Sequence, residues 1–152
     1  MNGNDGAAKT VAVLGLGEAG ALLARDLVRG GATVRGWDPD FHGDLSEIPR
    51  AASSHDAIRG ADVVISVNWA TVAAGVARDA LPLLHAGMLY ADHNTGGPRL
   101  KEELAAIVEP SGAKFVDVAM MAPVPPLGMR VGMFMAGSGA TELAAFYRGV
   151  GT

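Results

Sequence analysis

A chain of 152 residues suits one domain with a real hydrophobic core. Apolar residues make up 49% and charged residues 18%, which excludes a disordered chain and describes a folded, soluble one. A net charge of −4, with only 12 scattered basic residues, argues against a nucleic-acid partner, and the absence of cysteine excludes disulfides, thiolate metal sites and cysteine nucleophiles.

Only 5% of residues are aromatic and 21 are glycine, a balance that suits an Ala/Val/Leu-packed α/β fold with tight turns. Residues 1–9 are polar and glycine-rich, so they read as a flexible tail and not as a signal peptide. No apolar run approaches the roughly 18 residues of a membrane span, so no membrane partner is expected and the cytoplasm is the default location.

In chain order, Thr10–Leu14 reads as a buried strand, followed by a glycine-rich turn and a one-sided helix over Ala21–Arg29 that stops at Gly30-Gly31. Ala32–Trp37 is a second strand, ended by Asp38-Pro39, and residues 40–53 show no clear element. Ser54–Arg59 is a short helix capped by Ser53 or Ser54. Ala61–Val67 is a third strand, and Thr71–Leu84 a helix with Pro82 near its end. Met88–Ala91 is a strand and Pro98–Val108 a helix. Lys114–Val118 is a strand, Met120–Gly128 a proline-rich loop, Val131–Ala136 a last strand, and Thr141–Tyr147 the start of a helix. This alternation predicts a Rossmann-type, doubly wound α/β domain over residues 10–152, its sheet mainly parallel with helices on both faces.

Gly15, Gly17 and Gly20 form G-x-G-x-x-G directly after a strand and at the mouth of a helix. Gly15 suits the tight turn, Gly17 a close approach of backbone to pyrophosphate, and Gly20 tight packing of helix on strand. The stretch Gly15, Leu16, Gly17, Glu18, Ala19 and Gly20 is therefore the candidate phosphate cradle of a nicotinamide dinucleotide. Asp38 stands after the second strand, close to the offset at which an acid holds ribose hydroxyls. A 2′-phosphate at about 4 Å would meet repulsion on the order of 4 kcal/mol there, at an effective dielectric near 20. Arg35 and Arg50 are the nearest arginines, and neither is well placed by spacing to reverse this. NAD is thus favoured over NADP.

The runs VAVLGLGEAGALLARDL, ADVVISV and DHNTGGP resemble the N-terminal NAD-binding domain of the β-hydroxyacid dehydrogenases, the group of 3-hydroxyisobutyrate and 6-phosphogluconate dehydrogenases. The likeness covers nearly the whole chain. It implies that Asp92, Asn94, Thr95 and Pro98 match the family's D-x-[S/N]-[S/T]-x-x-P segment, with Asn94 and Thr95 near substrate and Thr95 also near the cofactor. A plain helix cap before Pro98 is the competing reading of Asn94-Thr95. His93, between them, reads as an exposed loop residue. Val67, Asn68 and Trp69 fall where the family's loop closes over the cofactor, and Trp69 either covers it or anchors the next helix. Where the family has Ser-Gly-Gly after Asp117, this chain has Met120-Met121 and a proline-rich loop. Met121 is accordingly a candidate pocket residue, with gap-filling core as the alternative.

The resemblance places the family's catalytic lysine in a helical C-terminal domain beyond Thr152, so no catalytic residue is assigned within this chain. Lys9, Lys101 and Lys114 all read as surface residues, and no metal-binding cluster or nucleophile elbow is present. The chain reads as the cofactor half of an oxidoreductase for a small hydroxy acid, inactive without its other half. An imine-reductase-like enzyme and a stand-alone nucleotide-binding regulator are the alternatives. An apolar face left by a missing domain would promote self-association, with a homodimer as the expected form.

Overall fold

The structure, a computed structural model, describes residues 8–41 and 43–151. The expected tail of residues 1–9 thus lies almost wholly outside the described residues, as does Thr152.

Six strands form one sheet in the order β2-β1-β3-β4-β5-β6: β1 (Thr10–Leu14), β2 (Thr33–Trp37), β3 (Val63–Ser66), β4 (Leu89–Asp92), β5 (Lys114–Met120) and β6 (Met133–Ala136). The first five are parallel. Their apolar runs are continuous because helices cover both faces. Successive side chains alternate between those faces. Val11, Val13, Val63, Ile65 and Val116 pack with Leu23 and Leu27 of α1 (Glu18–Arg29) and with Leu143 and Tyr147 of α6 (Ala140–Gly149). Ala12, Leu14, Val64, Tyr90 and Phe115 face the other layer. That layer is α2 (Ser54–Ile58), α3 (Ala70–Ala80) and α4 (Pro98–Val108).

The last strand departs from the parallel pattern. Strand β6 is shorter than Val131–Ala136 and runs antiparallel to β5, with Asp117 opposite Ala136 and Met120 opposite Met133. A parallel return would need a crossover helix, and residues 121–132 hold only the short turn α5 (Val124–Leu127) and a single 3-10 turn over Gly128–Arg130. Asp26 of α1 pins this connection, accepting a hydrogen bond from the Met129 amide at 2.9 Å.

Residues 48–51, featureless in pattern, lie along the outer edge of β2. The Gly36 amide donates to the Pro49 carbonyl (3.1 Å) and the Ala51 amide to the Gly36 carbonyl (2.9 Å). A side chain at position 36 would press on the Leu16 methyl groups, so glycine lets Leu16 pack closely here.

Ser53 is the cap of α2, its hydroxyl accepting from the Asp56 amide at 3.1 Å. Ser53→Ala is expected to lower stability by about 1 kcal/mol in urea denaturation. Among the described residues no helix is long and apolar enough to cross a membrane.

Candidate functional site

The carboxyl ends of β1, β2, β3 and β4 meet at one rim of the sheet, and the predicted site residues collect there. Gly15 leaves β1 with φ +110°, in the left-handed region, and a Cβ on it would stand 2.1 Å from the Val67 carbonyl oxygen. A Cβ on Gly20 would stand 2.0 Å from the Gly15 carbonyl oxygen, which is how α1 comes so close to β1. Gly17 differs. Nothing lies within 4 Å of its hypothetical Cβ, so no internal packing asks for glycine there. It is the exposed N-cap of α1 and has no side chain to cap the helix, so the first-turn amides are left without a side-chain partner. Glu18 is exposed beside them and Ala19 packs partly on the core, while Leu16 is buried.

Asp38 is joined to this loop directly. One carboxylate oxygen accepts from the Leu16 amide at 2.8 Å and the other from the Asp40 amide at 2.8 Å. Each oxygen keeps a lone pair for a further donor. The expectation that Arg50 is poorly placed is corrected. The bridge between Gly36 and Arg50 brings its guanidinium to 3.4 Å from the Asp38 carbonyl oxygen, at the tip of β2. Arg35 points elsewhere and donates to the Arg59 carbonyl.

At the end of β3, Val67 lies against the glycine turn and Asn68 is held by its own amide group. Asn68 Nδ2 donates to Ser66 Oγ at 3.1 Å and to the Leu14 carbonyl at 3.4 Å. Its Oδ1 is buried with no partner. Trp69, the N-cap residue of α3, is 80% exposed, so its ring does not anchor that helix.

Strand β4 delivers a buried polar network. Asn94 Oδ1 accepts from the Asn68 amide, while Nδ2 donates to Asp92 Oδ1 (2.6 Å) and Ser66 Oγ (3.3 Å). The Asn94 side chain is thus engaged on three sides inside the protein, while its neighbour Thr95 is exposed at the rim. The plain-cap reading of the pair does not hold, since Gly97 is the N-cap of α4.

Two further expectations are overturned here. Lys101 is no surface lysine: its side chain is 11% exposed, and its ammonium binds Asp92 at 2.6 Å and Asp117 at 2.7 Å. Asp92 and Asp117 are register partners on β4 and β5, so one cation sits between two adjacent carboxylates. Burial pushes the Asp92 carboxyl up, and the Lys101 ammonium acts against that. His93 is not an exposed loop residue either. It is 2% exposed, Tyr147 Oη lies 3.0 Å from its Nε2, and its Nδ1 lies 3.3 Å from the Ala91 carbonyl oxygen. Burial lowers its pKa to about 4, so the ring is neutral near pH 7. Of the two methionines, Met120 packs against the core, whereas Met121 is 59% exposed beyond the end of β5. A cavity of about 160 Å³ lies among Asn94, Thr95, Lys101, Asp117 and Met120.

An uncapped helix mouth beneath a glycine turn, with a carboxylate tied to it from the next strand, defines a Rossmann-type dinucleotide-binding domain. Residues 10–138 match the NAD binding domain of 6-phosphogluconate dehydrogenase, and the chain belongs to that family. It is 32% identical over 149 residues to the mitochondrial 3-hydroxyisobutyrate dehydrogenase of Rattus norvegicus, covering 91% of this chain and 44% of that protein. Among solved structures it resembles a conserved hypothetical protein from Sinorhizobium meliloti 1021, with TM-score 0.85 and 27% identity over 95% of this chain and 52% of that one. It also resembles the Mycobacterium tuberculosis 3-hydroxyisobutyrate dehydrogenase, solved with L-serine, with TM-score 0.83 and 26% identity over 94% and 52%. The chain spans about half the length of these relatives.

Proposed function

We propose that this chain is the cofactor-binding part of an oxidoreductase that moves hydride between a nicotinamide dinucleotide and a small hydroxy acid, and that it prefers NAD. The observation that carries this reading is the union of cradle and grip: the open amides at Gly17 and the Asp38 carboxylate meet at the Leu16 amide. The amides and dipole of α1 suit a diphosphate, and the spare lone pairs of Asp38 suit two ribose hydroxyls.

A bound nicotinamide would supply the hydride chemistry. The protein's part is placement. Thr95 and Met121 are the exposed side chains we assign to the substrate, and Asn94, held inside by Asp92, braces the turn that carries Thr95. His93 is too acidic and too enclosed to exchange protons near neutrality. Proton transfer to the substrate oxygen would fall to a lysine from the other half of the parent protein, without which this chain would bind but not turn over.

Preference for NAD rests on Asp38, with Arg50 narrowing the margin from beside it. Asp38→Asn keeps an acceptor for the Leu16 amide while removing the charge. It is expected to weaken NAD about tenfold, the loss of roughly one charge-assisted hydrogen bond, and to bring NAD and NADP closer together. Tryptophan fluorescence titration with each dinucleotide measures both effects, through Trp37 and Trp69 beside the site. Equal affinity of the unaltered chain for NAD and NADP would refute the preference, and silence toward both would refute binding.

A further inference from the structure

Lys101 donates to three acceptors: the Asp92 carboxylate at the end of β4, the Asn94 main-chain carbonyl just beyond it at 2.8 Å, and the Asp117 carboxylate in β5. An ammonium has three protons, so all of them find acceptors within the protein. Two carboxylates alone would hold α4 against the sheet. The third bond does something else, because buried Asn94 bends the chain into the exposed residues Thr95 and Gly96 at the rim of the sheet.

The strand order says what passes over that rim. A dinucleotide with its diphosphate at the mouth of α1 and one ribose at Asp38 on β2 must send its other half to the opposite side of β1, over β3 and β4. We propose that Lys101 is a positioning residue for the nicotinamide half of the cofactor: by gripping the Asn94 carbonyl together with Asp92 and Asp117, it fixes the turn that presents Thr95. The inference rests on the dinucleotide reading above and adds a residue that touches no ligand. Removing Lys101 frees the Asn94 carbonyl, and the rim loses its fixed register with the Asn68 and Ser66 contacts that hold the Asn94 amide from the other side.

A ligand split tests this. ADP-ribose carries the diphosphate and adenosine ribose without nicotinamide, so comparing it with NAD isolates the half in question. Lys101→Met leaves Asp92 buried without its cation and is at risk of unfolding. The double variant Lys101→Met/Asp92→Asn removes both charges and carries the test if the single one fails. Circular dichroism first establishes that the variant is folded, and calorimetric titration then measures both ligands. The expected result is ADP-ribose affinity within about twofold of the unaltered chain and NAD affinity reduced about tenfold, the loss of one well-placed contact. A variant that weakens both ligands equally, or neither, overturns the proposal and leaves Lys101 as a tie between helix and sheet. So does equal affinity of the unaltered chain for the two ligands. An unaltered chain that binds neither overturns the dinucleotide reading and Lys101's part in it together.

Discussion

Gly15→Ala and Gly20→Ala are expected to destabilise the fold by about 3 kcal/mol or more, whereas Gly17→Ala leaves stability within about 0.5 kcal/mol and loses dinucleotide affinity about tenfold. The three glycines of the motif look alike in sequence and stand in different surroundings. A methyl group at Gly15 would meet the Val67 carbonyl in a left-handed backbone conformation, and one at Gly20 would meet the Gly15 carbonyl. Both obstacles are main-chain atoms, so relief requires the turn after β1 to move away from the end of β3 in the first case and α1 to move off β1 in the second. At Gly17 there is no obstacle inside the protein. An alanine there is tolerated by the fold and intrudes only on what docks at the helix mouth. Denaturation midpoints and a fluorescence titration with NAD separate the two outcomes. A Gly17→Ala chain that binds NAD as well as the parent would show that no phosphate comes close to that amide.

Acid should weaken the protein through His93. In the fold its Nδ1–H donates to the Ala91 carbonyl and Tyr147 donates to Nε2, so the buried ring is neutral and burial holds its pKa near 4, below the usual 6.5. The unfolded chain takes up a proton at this histidine below about pH 6.5, while the folded chain resists until about pH 4. Stability therefore falls as pH drops through that window and levels off beneath it, by about 3 kcal/mol in all. The raised carboxyl of Asp92 acts in the opposite sense, since the folded state then holds its proton more tightly than the unfolded one. His93→Gln keeps a donor for Ala91 and an acceptor for Tyr147 but cannot titrate. Urea midpoints between pH 7 and pH 4 should fall less for this variant than for the parent, and parallel slopes would refute the account.

Most of the architecture is legible in the pattern of residues. The five parallel strands are short apolar runs, the helices are one-sided, and the glycine turn stands where a strand meets a helix. The direction of β6 is not legible, because it depends on how residues 121–132 fold over α1 through the Asp26 contact. At the site, the glycines and Asp38 are visible from spacing alone. Arg50 is not, since its place follows from an edge pairing with Gly36 that no local periodicity announces. The engagement of Asn94 depends on Ser66 and Asn68, far away in the chain. Lys101 did leave a trace. It lies three and seven residues before Leu104 and Val108, on the buried stripe of α4, and two aspartates end up side by side across from it. Residue type suggests solvent; position on the helix and a pair of strand-end acids point inward.

The hydrogen bond from the Leu16 amide to Asp38 has one more consequence. It makes the turn after β1 and the tip of β2 a single rigid jaw, already shaped before anything arrives. Little conformational freedom remains there to be lost on association, so a larger share of the contact energy survives as affinity, and capture need not wait for a disordered segment to settle.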